Sequence, residues 1–426
     1  MKILLKSVEI VDASNTLAER VNILIEDGII TQISSNLPAS DEVIESKNLK
    51  VSAGWIDMNA FLGEPGFEHK ETIETGTLAA AKGGFTEVVC MPNSLPVIQD
   101  KNTVLFYTSR NKESLITLLP LGAVTLNIQG SDLTDMLDMH KAGAVGFGDG
   151  FKSLNNSDII LKTLQYLSKI GAVLINRPNE CSISNSGVAN EGVNSTMLGL
   201  KGIPAIAEEI AITRDLKLLE YTGGRIHFSN ISTAEGVKLI REAKMKGLNV
   251  TCDIAAHQIA FNDIILKDFD TNFKVDPPFR TTNDIEELWK GLKDGTIDVI
   301  TSAHNPQDEE SKKLEFDLAE FGIIGLETAF SVINTLNKNL TISEIVEKFA
   351  VRPREILGLP LPQIEVGQIA NLTVFDSEME WDYKENDIQS KSKNSPFINY
   401  KFKGKPLAVF NNRKNLIDPV FIKQAH

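Results

Sequence analysis

Eight short apolar runs recur through the middle of the chain, and they limit its fold more than any other feature. Each run is rich in Val, Ile and aromatic residues, and segments with helical periodicity separate the runs. Near-continuous apolar strands are typical of a parallel sheet that helices cover on both faces. The runs are 54–60, 86–93, 116–124, 144–150, 172–178, 225–232, 249–255 and 298–306. Eight strand–helix units over about 250 residues predict a (β/α)8 (TIM) barrel, with a doubly wound sheet as the alternative.

Both ends of the chain differ from this middle part. Residues 1–53 alternate apolar and polar side chains, and the segment "VNILIEDGIITQI" places an Asp-Gly pair between two strand patterns, which is a strong hairpin signal. Residues 362–426 return to the same character in "GQIANLTVFD" and "FKGKPLAVFNN". We therefore predict that 1–53 and 362–426 form one small β-sandwich-like domain, and that 54–361 form the barrel.

Composition excludes several classes of function. A net charge of −14 without a basic cluster disfavours nucleic-acid binding. No stretch approaches the roughly 18 apolar residues of a membrane span, and the first residues alternate like a strand, so we expect a cytoplasmic protein. The three cysteines Cys90, Cys181 and Cys252 are too widely spaced for a disulfide framework or a Cys-x-x-Cys zinc motif.

The active site of such a barrel forms at the carboxyl ends of its strands, so the residues after each apolar run are the candidates. These positions are polar, but they offer few groups that bind a metal ion. In chain order they are Asn59, Phe61, Asn93, Asp149, Asn176, Asn230, His257, Ala303 and His304.

Long ordered segments of the chain resemble one known family. They include "GWIDMNAFLGEPGFEHKETIETGTLAAAKGGFTEVVCMPNSLPVI", "GLKGIPAIAEEIAITRDLKLLEYTGGRIHFSNISTAEGVKLIREAKMKGLNVTCDIAAHQ", "DPPFRTTND", "DGTIDVITSAHNP", "FGIIGLET" and "GQIANLTVFD". On these segments the sequence resembles the dihydroorotases of the amidohydrolase superfamily, in particular the long bacterial type, over nearly its whole length. The resemblance implies an amidohydrolase barrel and a role in pyrimidine biosynthesis.

The resemblance also implies a cluster of one or two divalent metal ions, usually zinc, and this chain departs from that pattern. The family has His-x-His where Asn59 and Phe61 stand, and a bridging carboxylate for which Asp149 is the candidate. It has a histidine at Asn176, another at Asn230, and the metal-bound aspartate at Ala303. An amide oxygen is a weak neutral donor and phenylalanine offers none. We therefore expect no metal ion, and zinc only if the chain is an active enzyme.

Positions that face the substrate in the family are retained only in part. Gly63 stands where the family has the arginine that grips the substrate carboxylate, and Asp276 stands in place of an asparagine. Asn93 and His304 are kept. We expect His257 to be a hydrogen-bonded histidine at the end of the barrel rather than a ligand. Asp149, which lies between two glycines, has a simpler explanation as a turn residue.

These departures leave three hypotheses open. The first is a homologue without catalysis that acts as a structural or regulatory partner, for example of aspartate transcarbamoylase or of an active dihydroorotase. The second is an active dihydroorotase that interconverts N-carbamoyl-aspartate and dihydroorotate. The third is a metal-independent protein that binds a small molecule in the old pocket. The resemblance further implies a homo-oligomer, most simply a dimer.

Overall fold

A computed structural model gives the structure of residues 1–11 and 20–424. Residues 12–19 and 425–426, which belong to the predicted small domain, lie outside the described residues. Strands and helices are numbered along the chain. Within the described ranges, no helix is both long and apolar enough to cross a bilayer.

The predicted barrel is confirmed: eight parallel strands follow one another around a single sheet in chain order. The strands are β6 (Trp55–Ala60), β7 (Phe85–Cys90), β8 (Thr117–Gly122), β9 (Gly146–Phe147), β10 (Leu174–Asn176), β13 (Ile226–Phe228), β14 (Val250–Ala255) and β15 (Val299–Thr301). Seven of the strands lie inside their apolar runs, and β7 begins one residue before its run. A parallel bridge between Ala60 and His304 joins the first strand to the segment after the last one. The sheet therefore closes into a ring.

Helices connect the barrel strands, as the helical periodicity between the apolar runs predicts. Helix α1 begins at a capping box, in which the Thr72 side chain accepts a hydrogen bond from the backbone of Thr75. The helices are α1 (Ile73–Lys82), α2 (Lys101–Thr108), α3 (Met136–Ala142), α4 (Ser157–Ser168), α5 (Cys181–Ser184), α6 (Val193–Leu198), α7 (Ile206–Thr222), α8 (Ala234–Met245), α9 (Thr282–Asp294), α10 (Glu309–Lys312), α11 (Ala329–Leu336), α12 (Ile342–Val346) and α13 (Arg352–Leu357). A short two-stranded pair, β11 (Ala189–Asn190) with β12 (Gly202–Ile203), flanks α6.

Strands from both ends of the chain form a second, nine-stranded sheet. They are β1 (Lys2–Ile10), β2 (Val21–Glu26), β3 (Ile29–Ser34), β4 (Glu42–Ile44), β5 (Leu49–Ala53), β16 (Leu372–Asp382), β17 (Lys401–Asn411), β18 (Lys414–Ile417) and β19 (Ile422–Gln424). The predicted hairpin is β2–β3, and its turn residues Asp27 and Gly28 have φ of 50° and 76°. Strand β5 pairs with β16, so the amino- and carboxyl-terminal parts share one sheet with its own apolar core. The residue boundaries of the two domains stay a prediction.

Buried aromatic and charged side chains join this sheet to the barrel. The Trp55 ring lies 4.8 Å from Phe330 and 5.3 Å from Phe375 of β16, centroid to centroid. Nearby, the fully buried Arg354 guanidinium donates to the carbonyl of Gly54 and, through Nη2 at 2.9 Å, to Glu87 of β7. A buried guanidinium needs these acceptors, because desolvation of an unpaired charge is costly.

Replacing Glu87 with alanine is expected to lower the free energy of unfolding by about 3–5 kcal/mol, because the buried Arg354 loses its carboxylate. The matched control is Glu355→Ala, which removes an exposed partner of Arg352 and is expected to cost at most about 1 kcal/mol. Urea unfolding of both variants measures the difference. Equal losses in the two variants would show that the junction does not depend on this ion pair.

Candidate functional site

A cavity of about 300 Å³ opens at the carboxyl ends of the barrel strands. Seven residues that the sequence analysis singled out contribute to its wall: Asn59, Phe61, Asn93, Asn230, His257, Asp276 and Ala303. Residues that the sequence analysis did not single out complete much of the wall, among them Phe67, Lys70, Met91, Phe151, Arg177, Ser229, Asn305, Gln307 and Phe321. The strand-end rule therefore located the cavity and part of its lining.

Asn59 lies near the end of β6 and Phe61 directly after it, and they give the cavity one polar and one aromatic side. The amide nitrogen of Asn59 donates to the Ser229 hydroxyl at 3.1 Å. The Phe61 ring packs edge-on against Phe67 and Phe151, with both pairs of centroids 5.7 Å apart. The side chain at position 61 is thus a phenyl ring, and a phenyl ring has no lone pair to donate to a metal ion.

Two other cavity residues have left-handed backbone conformations. Asn230 has φ of 55° and Ala303 has φ of 46°. Asparagine tolerates this region, whereas alanine does so at a cost of roughly 1–2 kcal/mol. The backbone of Asn230 is held by a 2.7 Å hydrogen bond from its N–H to Asp253 on β14. Ala303 therefore has a strained backbone, and its methyl side chain makes no hydrogen bond that would offset the strain.

An ion pair between Arg177 and Asp276 lies in the cavity wall. Arg177 also donates to the carbonyl of Phe151 at 3.2 Å. This pairing gives Asp276 a physical role in the position where the resemblance implies asparagine. The guanidinium is thereby neutralised by a carboxylate of the same chain.

The structure corrects the expectation that His257 is hydrogen-bonded. Its ring lines the cavity, yet Nδ1 is buried without a partner and Nε2 has none among the described residues. The ring instead packs edge-on against Phe279, 5.8 Å away between centroids. Burial lowers the pKa of His257 to about 3. The imidazole is therefore neutral at physiological pH and has both a donor and an acceptor to offer.

Asp149 and Asn176 do not line the cavity, because other parts of the fold use their polar atoms. One Asp149 oxygen accepts from the backbone N–H groups of Val124 and Thr125, at 2.9 and 3.0 Å, and the other accepts from the Thr125 hydroxyl. Burial raises the pKa of Asp149 despite these bonds. Asn176 accepts from Leu154 N–H and donates to Asp215 at 2.7 Å. Asp149 thus binds the segment that follows β8, and Asn176 binds Leu154 and helix α7.

His304 and Gly63 also lie outside the cavity wall. Gly325 N–H donates to Nδ1 of His304 at 3.2 Å, so Nε2 carries the proton and donates to Glu71 at 3.3 Å. Burial acts to raise the pKa of Glu71, but its hydrogen bonds, that from His304 first, hold it below the ordinary value. Gly63 has φ of 69°, and a Cβ there would lie 2.3 Å from the carbonyl oxygen of Glu71. No side chain fits at Gly63 in this backbone.

Asp57, which the sequence analysis did not single out, holds the closure of the ring beside the cavity. Its carboxylate on β6 accepts from the backbone N–H of Ser302 at 2.7 Å and from the Ser302 hydroxyl at 2.6 Å. Burial raises the pKa of Asp57 to about 7, against the effect of the Ser302 hydrogen bonds. A lone aspartate inside the apolar run "GWIDMNA" was the available signal for it.

The sequence contains a usable signal for only some of the other cavity residues that were not predicted. Arg177 and Ser229 lie next to Asn176 and Asn230 at strand ends, so a wider window around each strand end would have included them. Lys70 and Phe321 lie on long connections. Their positions in the cavity depend on how those connections fold back, which no local pattern indicates.

Comparisons with known proteins agree with the observed fold. Residues 49–236 match the family described as Dihydro-orotase-like, and 201–416 match the Amidohydrolase family. A dihydroorotase of Pelotomaculum thermopropionicum is 40% identical over 413 residues, covering 96% of this chain and 97% of that protein. A dihydroorotase of Thermoanaerobacter sp. is 41% identical over 409 residues, covering 95% and 94%. The chain belongs to the dihydroorotase family.

Solved structures confirm the architecture of this dihydroorotase-family chain. L-hydantoinase (dihydropyrimidinase) from Arthrobacter aurescens superposes with a TM-score of 0.84 over 98% of this chain and 96% of that one, at 21% identity. At that identity the likeness concerns the fold alone. It supports both the barrel and the separate sheet from the chain ends.

Metal ions are typical of the dihydroorotase family, and the donors of this chain do not fit them. Among residues 1–11 and 20–424, no group of three or more His, Cys, Asp or Glu side chains is placed to hold a metal ion. Asn59, Asn230 and Ala303 offer two amides and a methyl group at the cavity. The Asp149 oxygens are occupied by hydrogen bonds elsewhere. No step of a metal-dependent reaction follows from this donor set.

Replacing Ala303 with glycine is expected to raise the free energy of unfolding by about 1 kcal/mol, because glycine adopts φ of 46° without strain. The control Ala79→Gly lies inside α1 and is expected to lower it by at least about 0.5–1 kcal/mol. Chemical unfolding of both variants provides the measurement. A loss of stability in both would show that Ala303 is not strained.

Asp57→Asn is expected to flatten the pH dependence of stability. A raised folded pKa means that the stability from this carboxyl is fully present below the unfolded pKa and is lost as the pH rises through about 7. The neutral amide keeps an acceptor for Ser302. The difference in free energy of unfolding between variant and parent should therefore shift in favour of the variant by about 1–3 kcal/mol from low to high pH. Urea unfolding across this pH range, with the exposed Asp158→Asn as control, provides the measurement. Parallel profiles for parent and Asp57→Asn would contradict it.

Proposed function

We propose that this chain is a dihydroorotase-family protein that has lost metal-dependent hydrolysis of cyclic amides and acts as a structural or regulatory partner in pyrimidine biosynthesis. The observation that carries the proposal is the chemistry at the strand ends. Asn59, Phe61, Asn230 and Ala303 surround the cavity where the family pattern has three histidines and an aspartate. Imidazole and carboxylate are the groups that hold a catalytic zinc ion, and neutral amides do not replace them.

The loss affects every function that the cluster would serve. A bound metal ion supplies the hydroxide nucleophile near neutral pH and polarises the carbonyl. The aspartate that would move the proton is Ala303 here, and loss of a general acid–base group alone costs roughly 10²–10⁴-fold in rate. The position of the arginine for the substrate carboxylate is Gly63, where the backbone leaves no room for a side chain. Nucleophile, proton transfer and substrate charge recognition are therefore all affected.

An active dihydroorotase is the second candidate. It is favoured by the 40% identity to proteins named dihydroorotase over nearly the whole length of both chains. Sequence similarity of this extent preserves a fold and commonly a reaction, but the reaction depends on the site residues. The two candidates therefore make opposite predictions about metal content and turnover.

Elemental analysis and an activity assay separate the two candidates. Protein produced with added zinc should contain far less than one zinc ion per chain, and it should neither cyclise N-carbamoyl-aspartate nor hydrolyse dihydroorotate above background. The dihydroorotase of Pelotomaculum thermopropionicum, prepared in the same way, is the matched control. Stoichiometric zinc together with turnover would establish the active enzyme instead.

Association with aspartate transcarbamoylase tests the partner role. The purified chain and the aspartate transcarbamoylase of the same organism should co-elute in size-exclusion chromatography, and the transcarbamoylase activity or stability should change on mixing. The same column reports whether the chain alone forms the expected dimer. Separate elution of the two proteins with unchanged activity would contradict the partner role.

A further inference from the structure

Several polar atoms in the cavity wall have hydrogen-bonding capacity that the described residues do not use. Asn59 donates to Ser229, but its Oδ1 accepts no hydrogen bond from any residue of 1–11 or 20–424. The Nδ2 of Asn230 donates none, although its Oδ1 accepts from Thr301 at 3.4 Å. His257 adds a neutral imidazole whose Nδ1 is buried without a partner in the described part of the chain. Buried polar groups are normally paired. The buried Nδ1 of His257, together with the amide groups of Asn59 and Asn230 at the same cavity, therefore indicates a ligand that pairs with them.

The charges around the cavity balance one another. Arg177 is paired with Asp276 in the wall. Lys70, the other lining cation, donates to Gln307 at 2.7 Å, and the carboxylate of Glu320 also contributes to the wall. The lining thus carries two positive and two negative groups. An anionic ligand would have to compete with Asp276 for the guanidinium, which costs affinity.

Aromatic rings and size limit the shape of the ligand. Phe61, Phe67, Phe151 and Phe321 contribute to the wall, so a flat ring has aromatic surface to pack against. A cavity of about 300 Å³ lies at the lower end of the size range of ligand sites. It has room for one heterocycle and little more.

We propose that this cavity binds an uncharged planar heterocycle with ring amide groups, of the size of a free nucleobase, in preference to a ring that carries a carboxylate. The amides of Asn59 and Asn230 and the imidazole of His257 pair with the ring N–H and C=O groups. The phenylalanine rings contact its faces or edges. This inference rests on the proposed loss of the metal cluster, because a metal ion and its ligands would fill the same space.

Isothermal titration calorimetry of the whole chain with uracil and with orotate tests the proposal, because these two rings differ by one carboxylate. In buffer with a chelator, uracil should bind at least about tenfold more tightly than orotate. Equal or tighter binding of orotate would overturn the proposal. Absence of uracil binding up to millimolar concentration would also overturn it.

Two variants test whether Asp276 and Asn59 cause the preference for uracil over orotate. Asp276→Asn frees the Arg177 guanidinium, so orotate should gain at least about tenfold in affinity relative to uracil. Asn59→Leu removes an unused acceptor and should weaken uracil by at least about tenfold. Asp158→Asn, on the exposed surface of α4, is the control and should change neither affinity. Unchanged affinities in both cavity variants, with folding verified by circular dichroism, would contradict the assignment.

Failure of this proposal is distinguishable from failure of the proposed function. Calorimetry in a chelator reports binding without turnover, whereas zinc content and cyclisation of N-carbamoyl-aspartate report the family reaction. A zinc-free, inactive chain that does not bind uracil would leave the proposed function standing and remove only the ligand assignment.

Discussion

The closure of the barrel between β6 and β15 is the constraint on which the rest of the structure depends. Phe61 N–H donates to the carbonyl of His304 at 2.8 Å, and His304 N–H donates to the carbonyl of Asn59 at 3.1 Å. Asp57 adds two hydrogen bonds from Ser302 across the same junction. These bonds are made by backbone groups and by residues other than the expected metal ligands. The ring therefore closes without any contribution from a metal ion.

Because of this arrangement, the fold does not depend on the side chains that line the cavity at the strand ends. The side chains at Asn59, Phe61 and Ala303 project from the closure into the cavity, while the bonds that join the strands lie in the backbone beneath them. Substitutions at these positions change the chemistry of the cavity and leave strand pairing intact. Ala303 still has the left-handed backbone at this closure, so the local conformation persists without the side chain that the family pattern has there. A chain can therefore belong to the dihydroorotase family and still have other side chains than the family pattern at these positions.

The sequence predicted the barrel because burial and periodicity act locally: each apolar run is long enough for one strand, and segments with helical periodicity separate the runs. The rule that barrel sites form at strand ends located six cavity residues, and the family resemblance located a seventh, Asp276. The sequence did not predict that Asp149, Asn176 and His304 bind other segments, since those hydrogen bonds join residues far apart in the chain. The Arg177–Asp276 pair likewise joins residues far apart in the chain. No local pattern shows that Nδ1 of His257 is buried without a partner among the described residues.

Whether the residues at the strand ends can hold zinc is best tested with a crystal soaked in zinc. Diffraction data collected at the zinc absorption edge locate each bound zinc ion by its anomalous scattering. The account predicts no anomalous peak in the cavity between Asn59, Asn230 and Ala303, even when surface sites bind zinc. A fully occupied peak there, with ligands from these strand ends, would contradict the loss of the metal cluster.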